Sequence, residues 1–399
     1  MSKFPIRDIV QQFLPQLIQD NALNGHQKST LHLIGMCKTV ALGGHRERCD
    51  QCHFTRIHYN SCGNRNCPSC QGINKDQWIH NRQHDLLPVP YFHCVFTVPS
   101  ELHSYFRYNK KILYDLLLTT ARLTLDAFGL DPKHGIGAKI GGINVLHTWT
   151  QQLAFHPHVH CIVPAGGITQ TNTWKSSSKK PSFLFPVKAM SALFRGKFLA
   201  QLKILIHNDQ IILPDDVRHE HQQTISELYL MDWVAYAKKA FGGPQQVLEY
   251  LARYTHKICI SNHRIIQVTD SHVTFRYLDR KNKTSNIKTL QGIQFLKLFA
   301  EHILPKGFVK IRHFGFLASR VKKQHLKAIR KSLNVTINDP PQKRSPREFI
   351  TFITGVDPYI CPCCLEGEMV ITAVIPATRG SPIRVYRRPF SSERTVKLG

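Results

Sequence analysis

The sequence predicts an α+β fold in which helices flank a central antiparallel sheet. Two short apolar stretches, residues 91–98 and 143–149, have the length and composition of buried strands. Residues 109–128, between them, repeat their leucines at helical spacing. After a predicted turn at residues 150–157, a third apolar stretch spans residues 158–163. The order strand, helix, strand, turn and strand is typical of an antiparallel α+β domain.

Composition indicates a polyanionic partner. The chain has 399 residues, enough for two or three domains, and its 53 Lys and Arg against 26 Asp and Glu give a net charge of +27. Nucleic acid is the simplest partner for that excess. The sequence shows no signal peptide and no run of 18 apolar residues, so we expect a cytoplasmic protein without a membrane partner. Twelve cysteines in a reducing compartment suggest metal binding rather than disulfides.

Two Cys-x2-Cys pairs lie 14 residues apart near the N-terminus. This spacing predicts a structural zinc site with four sulfur ligands, Cys49, Cys52, Cys67 and Cys70. The alternative is that the cysteines are scattered in the core. The ligand set stays open, because Cys62 is a fifth candidate and His53 or His58 could substitute. Near the C-terminus, Cys361-Pro-Cys-Cys364 supplies half of a further site, which either joins another sulfur in space or is idle.

The third predicted strand carries His158 and His160, and strand alternation places both on one face. Two imidazoles on a rigid strand are typical of a metal site. With 23 histidines a His-x-His should arise by chance about once, and His219-Glu220-His221 in a polar segment is interpreted as solvated surface. His147 is the first candidate for a third ligand and His156 the second. For each of these two, a packed core or surface histidine is an equal alternative.

Two tyrosines, Tyr250 and Tyr254, lie four residues apart on a predicted helix, so their hydroxyls share one face. Arg253 and Lys257 border that face and are candidate DNA contacts. Nearby cations and a metal-polarised phosphate would favour attack by a phenolate. The alternative is that Val247, Leu251 and Tyr254 form a buried apolar stripe.

Further elements follow from periodicity. Residues 170–223 are polar and loop-rich around a helix at residues 187–206, and we interpret them as an insertion. Residues 231–239 have a helical pattern, and residues 264–268 and 272–277 predict a hairpin.

A basic helix is predicted in the C-terminal third of the chain. Residues 302–338 contain nine Lys or Arg and no acid. The cationic side of this helix, including Lys322 and Lys323, is a candidate DNA-backbone surface, and a solvated charged face is the alternative.

Together, the histidine strand and the tyrosine helix identify a resemblance. The chain resembles the two-tyrosine HUH transposases of rolling-circle insertion sequences, of the insertion-sequence-ninety-one type. The matching blocks are residues 60–70, 91–99, 146–149, 155–160, 166–167, 236–244, 250–256, 304–308 and 312–316. Each block is modest alone, and their order and spacing together are specific. One departure is Thr150, where a glycine is expected, which bears on the local turn and not on the chemistry.

The resemblance implies an HUH endonuclease core with an N-terminal zinc-binding domain. His158 and His160 would match the pair that binds Mg²⁺ or Mn²⁺. Tyr250 and Tyr254 would match the nucleophiles that cut single-stranded DNA at the element ends. The products would be a 5′-phosphotyrosine linkage and a free 3′-hydroxyl. One tyrosine could then hold a DNA end while the other cuts the next strand.

Four segments are predicted on this basis. They are residues 1–75, N-terminal helices and zinc-binding module; residues 76–262, nuclease core with an insertion at about 170–230; residues 263–337, basic DNA-binding region; and residues 338–399, linker, CPCC half-site and basic flexible tail. The expected partners are single-stranded DNA at the element ends and the target, with a homodimer left open. The expected location is a bacterial-type cytoplasm, at the nucleoid through DNA.

Two other functions compete with this interpretation. A replication initiator or relaxase of the same superfamily would share the chemistry but act on an origin. A non-catalytic, zinc-dependent DNA-binding regulator would use the histidines structurally.

Overall fold

The computed structural model describes residues 4–177, 184–240, 246–247, 255, 257–279, 282–335 and 344–378. Its α-helices are α1 (Ile6–Gln19), α2 (Gly25–Gly35), α3 (Gln71–Arg82), α4 (His103–Tyr108), α5 (Lys110–Leu130), α6 (Val187–His207), α7 (Asp215–Arg218), α8 (His221–Leu230), α9 (Gly292–Glu301), α10 (Lys322–Ser332) and α11 (Pro346–Thr354). Its strands are β1 (Gly44–Cys49), β2 (Thr55–Tyr59), β3 (Tyr91–Thr97), β4 (Gly141–Trp149), β5 (Phe155–Pro164), β6 (Gly166–Ile168), β7 (Trp174–Ser176), β8 (Ala235–Ala240), β9 (Ile265–Val268), β10 (His272–Asp279), β11 (Thr284–Gln291), β12 (Ile311–Gly315) and β13 (Met369–Ile375).

A five-stranded antiparallel sheet, in the order β12-β4-β5-β3-β8, forms the centre of the fold. The predicted α+β class is therefore confirmed. Strand alternation divides β5 between two apolar clusters. Val159, Cys161 and Val163 face the main core, whereas Ile162 belongs to a smaller cluster on the opposite face.

Helices α5 and α6 cover the main-core face of the sheet. Leu117 of α5 and Phe194 and Phe198 of α6 are fully buried there. The helix expected within an insertion is thus a large part of the main core. No helix among the described residues is long and apolar enough to cross a membrane.

A second compact unit joins the N-terminal helices to the hairpin β9–β10 and helix α9. The predicted N-terminal helix and the predicted hairpin are both confirmed. The first residue of α9 is Gly292, and a glycine is needed there because a Cβ would lie 2.1–2.4 Å from ring atoms of Phe13. Helix α2 starts at Gly25, where Asn24 and Gln27 form a reciprocal capping box.

A small three-stranded sheet, β13-β1-β2, brings the C-terminal part of the chain to the N-terminal module. Strand β12 likewise leaves the predicted basic region to join the central sheet. The four-segment division stays a prediction, but these two pairings cross its boundaries.

The prediction of a helix at residues 231–239 was wrong, because residues 235–240 form the edge strand β8, which pairs with β3. Alanine and lysine favour helices, but the open edge of β3 offers backbone partners that outweigh this weak preference. Lys238 is exposed, and lysine is well suited to a sheet edge because its charge discourages further strand pairing. Strand β5 also begins at Phe155, within the predicted turn at residues 150–157.

Candidate metal centres and DNA-facing surface

Strands β4 and β5 bring three histidines together on the smaller-cluster face of the sheet. The register pairs His147 with His158, and Val145 with His160. One nitrogen from each of His147, His158 and His160 lies within 4.8 Å of the other two. The hairpin pairing expected for His147 is therefore present.

Hydrogen bonds at Nδ1 orient the two β5 imidazoles. Nδ1 of His158 lies 2.7 Å from the carbonyl oxygen of His156. Because a carbonyl only accepts, this Nδ1 carries the proton and Nε2 keeps a lone pair. Nδ1 of His160 lies 2.8 Å from Nε2 of His93. When this Nδ1 is the donor, the hydrogen bond orients the His160 ring and leaves the lone pair on its Nε2. Such support at the far nitrogen is typical of metal-binding histidines.

The three side chains fit a divalent cation. Nε2 of His158 and Nε2 of His160 are 3.1 Å apart. Two cis ligands at octahedral metal–nitrogen distances of about 2.1 Å would be separated by about 3 Å. Neutral imidazoles leave the remaining coordination positions for oxygen ligands.

His93 on β3 was missed by sequence reasoning. Its ring is buried and stacks on that of His160, with centroids 5.0 Å apart. The available signal was alternation: Phe92 and Cys94 face the main core, so His93 faces the side that carries the imidazoles. His156, the second candidate ligand, is outside the three-histidine group and contributes its carbonyl instead.

The second His-x-His motif, His219-Glu220-His221, lies at the surface, as the sequence predicted. His219 and Glu220 are exposed, and Nδ1 of His221 bonds the carbonyl oxygen of Arg218 at 2.8 Å. Among the described residues, these two histidines belong to no group suited to a metal ion.

Tyr250, Tyr254 and Arg253 lie outside the described residues. Nearby, Val247 is helical and buried. It belongs to the smaller cluster, which also contains Ile143 and Ile162 on the histidine-bearing face of the sheet. Val247, three residues before Tyr250 in the sequence, therefore lies on the histidine-bearing face.

Lys257, just beyond the tyrosines, is half-buried and accepts a 3.4 Å hydrogen bond at its carbonyl oxygen from Nζ of Lys310. Removal from water lowers the pKa of Lys310 to about 8, and the charge of Arg65 acts in the same direction. Arg65 reaches across from the cysteine-rich module and donates to the carbonyl oxygen of Pro305 at 3.0 Å.

The four cysteines predicted to form one zinc site are divided between two clusters, so that ligand set was wrong. One cluster contains Cys37, Cys62, Cys67 and Cys70. The other contains Cys49, Cys52, Cys361 and Cys364. The hairpin β1–β2 carries the first Cys-x2-Cys pair away from the second. Among the described residues, neither His53 nor His58 belongs to a group of side chains that could hold a metal ion.

In the first cluster, Sγ of Cys37 lies 3.6 Å from Sγ of Cys67 and of Cys70, and Cys62 lies 3.6 Å from Cys70. A tetrahedral zinc with Zn–S bonds of about 2.3 Å has sulfurs about 3.8 Å apart. The sulfur positions therefore fit zinc. Cys37 and Cys67 are buried in the same cluster as α1 and α9, so this site is built into the second compact unit.

The basic helix α10 is present and packs through Leu326 and Ile329. Lys322 and Lys323, both predicted DNA contacts, differ in surroundings. Nζ of Lys322 lies 2.9 Å from a carboxylate oxygen of Asp85, whereas Lys323 is exposed. The other exposed lysines of this helix are Lys327 and Lys331. With Lys323 they recur every four residues and form one cationic stripe.

Comparisons with known proteins agree with this organisation. Residues 141–325 match the family described as "Putative transposase", and residues 9–98 match the family "Transposase zinc-binding domain". The chain is similar to "Putative transposase y4qJ" of Sinorhizobium fredii, with 38% identity over 91% of this chain and 93% of that protein. It is also similar to "Transposase for insertion sequence element IS801" of Pseudomonas savastanoi, with 28% identity over 98% of this chain and 95% of that protein.

No solved structure matches the chain. The two family matches and the two near-full-length relatives agree in kind. The chain therefore belongs to the insertion-sequence-ninety-one type of transposases, DNA-cleaving and strand-transferring enzymes that carry an N-terminal zinc-binding domain.

Proposed function

We propose that this transposase nicks and joins single-stranded DNA at the ends of its element, through 5′-phosphotyrosine intermediates on Tyr250 and Tyr254. The observation that carries this proposal is the convergence of His147, His158 and His160 on the sheet face where Val247 packs. Val247 is three residues from Tyr250 in the sequence, which supports a role for the tyrosines at a phosphate held by the imidazoles.

The three histidines would hold Mg²⁺ or Mn²⁺. When bound, such an ion supplies positive charge to a non-bridging phosphate oxygen. The protein contributes the geometry: the His156 carbonyl and the His93 ring fix the two β5 imidazoles before DNA arrives. Pre-organised ligands avoid reorganisation during the reaction.

The covalent step would be an in-line displacement at phosphorus. The phenolic oxygen of one tyrosine forms a bond to phosphorus as the bond to the 3′-oxygen breaks. The phenolic proton passes to solvent and the departing 3′-oxygen takes up a proton, which leaves a free 3′-hydroxyl. Attack by the 3′-hydroxyl of another strand reverses the step and joins the DNA. The phosphotyrosine bond conserves the energy, so no nucleotide cofactor is required.

DNA would enter along cationic surfaces. The exposed stripe of Lys323, Lys327 and Lys331 offers positive charge to the phosphate backbone. Arg253 and Lys257 would hold the strand beside the tyrosines. Binding through the backbone would also place the protein at the nucleoid.

The test is formation of a covalent protein–DNA adduct. Purified protein is incubated with 3′-end-labelled single-stranded DNA from the element ends and MnCl₂, and the products are separated under denaturing conditions. We expect labelled protein in the wild type and none when Tyr250→Phe and Tyr254→Phe are combined.

Tyr108→Phe is the matched control, because Tyr108 is exposed on α4. It should leave the adduct unchanged. A wild type that binds this DNA without forming an adduct would overturn the proposal in favour of a non-catalytic regulator. Efficient adduct formation on replication-origin DNA but not on the element ends would favour an initiator or relaxase.

A further inference from the structure

We propose that Cys49, Cys52, Cys361 and Cys364 hold a second zinc ion, which fastens the C-terminal segment to the N-terminal module. Cys361 and Cys364 lie outside both family matches, which cover residues 9–98 and 141–325. The zinc-binding family therefore accounts for only half of this cluster. The other half is distant in the sequence: Cys361 is 309 residues from Cys52, and Cys364 is 315 residues from Cys49.

The sulfur positions have the dimensions of a zinc site. Sγ of Cys49 lies 3.7 Å from Sγ of Cys364, and Sγ of Cys52 lies 3.6 Å from Sγ of Cys361. All four sulfurs lie within 4.8 Å of one another. These separations match the edge of about 3.8 Å expected for tetrahedral Zn–S₄. They are well beyond a disulfide bond of about 2.05 Å.

Backbone amides converge on three of the sulfurs. The N–H groups of Gln51, Cys363 and Gly367 each donate to a cluster sulfur at 3.4 Å, namely Cys49, Cys361 and Cys364, respectively. Amide donors favour the thiolate form, which is the form that binds zinc. Cys62 supplies the same kind of donor to Cys37 in the first cluster, at 3.5 Å. The two clusters are therefore built alike.

The turn that carries Cys361 and Cys364 has a conformation that lets Cys49 pack closely against it. The N–H of Cys361 donates to the carbonyl oxygen of Gly367 at 2.7 Å, and that of Leu365 to Cys361 at 3.0 Å, with Leu365 at φ +65°. A Cβ on Gly367 would lie only 2.5 Å from Sγ of Cys49. The glycine thus lets the two halves of the site meet.

The small sheet has little else to hold it. In the described part of the chain, its buried apolar cluster consists of Cys49, Cys361 and Met369, with Cys364 packed beside them. On β13, Ile371 and Val374 are exposed. A module this poor in apolar contacts depends on its metal for folding free energy.

Polar contacts then position the segment once it is attached. Strand β13 pairs with β1 from Gly44 to Cys49. Arg56 donates to the carbonyl oxygen of Pro358 at 3.0 Å. The Arg56 bond is half-buried, and a three-stranded sheet with so small an apolar cluster is marginal without further support. Loss of the second zinc should therefore release β13 from β1 while the central sheet and the first cluster stay folded.

The experiment compares Cys361→Ser/Cys364→Ser with Cys363→Ser in the full-length protein. Cys363 is exposed and lies outside the cluster, so it is a matched control within the same turn. Zinc per chain is measured by mass spectrometry after dialysis. We expect two equivalents in the wild type and in Cys363→Ser, and one in the double variant. Hydrogen exchange should accelerate in β1 and β13 of the double variant and stay unchanged in β5.

Two equivalents of zinc in the double variant, or one in the wild type, would overturn the proposal. A loss of four hydrogen masses in the intact wild type, without the second zinc, would show two disulfides instead. If the double variant does not fold, Cys364→His, which keeps a zinc ligand, and Cys364→Ala are compared. Two equivalents in the former and one in the latter support the site, and equal zinc contents overturn it.

Discussion

Nε2 of His158 lies 3.1 Å from Nε2 of His160, although the strand separates residues two apart by about 6.6 Å along its axis. The rings therefore lean towards each other. Two imidazole nitrogens at this distance are satisfied either by a proton on one of them or by a cation that both bind. When both Nδ1 atoms donate, both Nε2 lone pairs are available to a cation, and the first two predictions test this arrangement.

Replacing a predicted ligand should abolish cleavage and spare DNA binding. His158→Ala removes one of three nitrogens from the group but no main-core contact, because His158 is on the opposite face from Val159. We expect adduct formation to fall by more than about 100-fold, since even changes in supporting residues cost 10- to 100-fold. His219→Ala, in the exposed second His-x-His motif, is the control. Loss of folding or of DNA binding in His158→Ala would instead indicate a structural histidine.

His93 should act as a positioning residue for His160. His93→Phe keeps an aromatic ring but removes the nitrogen 2.8 Å from Nδ1 of His160. We expect the Mn²⁺ concentration for half-maximal cleavage to rise by about 10- to 100-fold. His93→Gln retains an acceptor and should recover part of that affinity. Equal effects of the two variants would point to packing rather than to the hydrogen bond.

Lysines on α10 should differ in their effect on DNA binding. Combining Lys323→Gln, Lys327→Gln and Lys331→Gln should weaken DNA binding. The slope of log K against log salt concentration should become shallower by up to about 2, because each phosphate contact with single-stranded DNA contributes about 0.7 to it. Lys322→Gln is the control, since its ammonium already pairs with Asp85 at 2.9 Å. A salt slope unchanged in the triple variant would show that this stripe is only solvated surface.

Acid should destabilise the fold partly through His302. Its Nε2 bonds the carbonyl oxygen of Leu153 at 3.0 Å and its Nδ1 lies 3.2 Å from the Thr148 hydroxyl, and burial lowers its pKa from 6.5 to about 4. Between these values the unfolded chain binds a proton that the folded chain does not. The stabilisation is therefore full above pH 6.5 and is lost as the pH falls towards 4.

At pH 5 the expected loss from His302 is about 2 kcal/mol relative to pH 7.5. Chemical denaturation at the two pH values measures it. His302→Gln removes the titration, so the difference between the two pH values should shrink by that amount. An unchanged difference would contradict the assignment.

The fit of Gly367 against Cys49 can be tested separately from the ligands. Gly367→Ala places a Cβ 2.5 Å from Sγ of Cys49, which must shift out of the tetrahedral arrangement. We expect one of the two zinc ions to be lost at a chelator concentration at least about tenfold lower. Gly196→Ala in α6, where a Cβ meets nothing within 4 Å, should leave zinc retention unchanged. Equal retention in both variants would show that the site tolerates the methyl group.

Local patterns were enough to predict the α+β class and the histidine hairpin. Alternation placed His158 and His160 on one face, and the predicted turn placed His147 beside them. The edge strand β8 was missed because its alanines and lysines favour a helix, and its strand conformation depends on pairing with β3. Alternation could have placed His93 on the face opposite Phe92 and Cys94, but only the register between β3 and β5 brings it to His160.

The sequence by itself determined the chemistry available to this protein: imidazoles on alternate strand positions, cysteines in pairs two residues apart and a large cationic excess. Only the tertiary structure decided which side chains act together. Cys49 and Cys364 share a cluster across 315 positions because β1 and β13 are neighbours in a sheet. Spacing along a chain constrains contacts within a hairpin or a helical turn. Partners hundreds of residues apart are selected by packing and strand pairing, which no local pattern records.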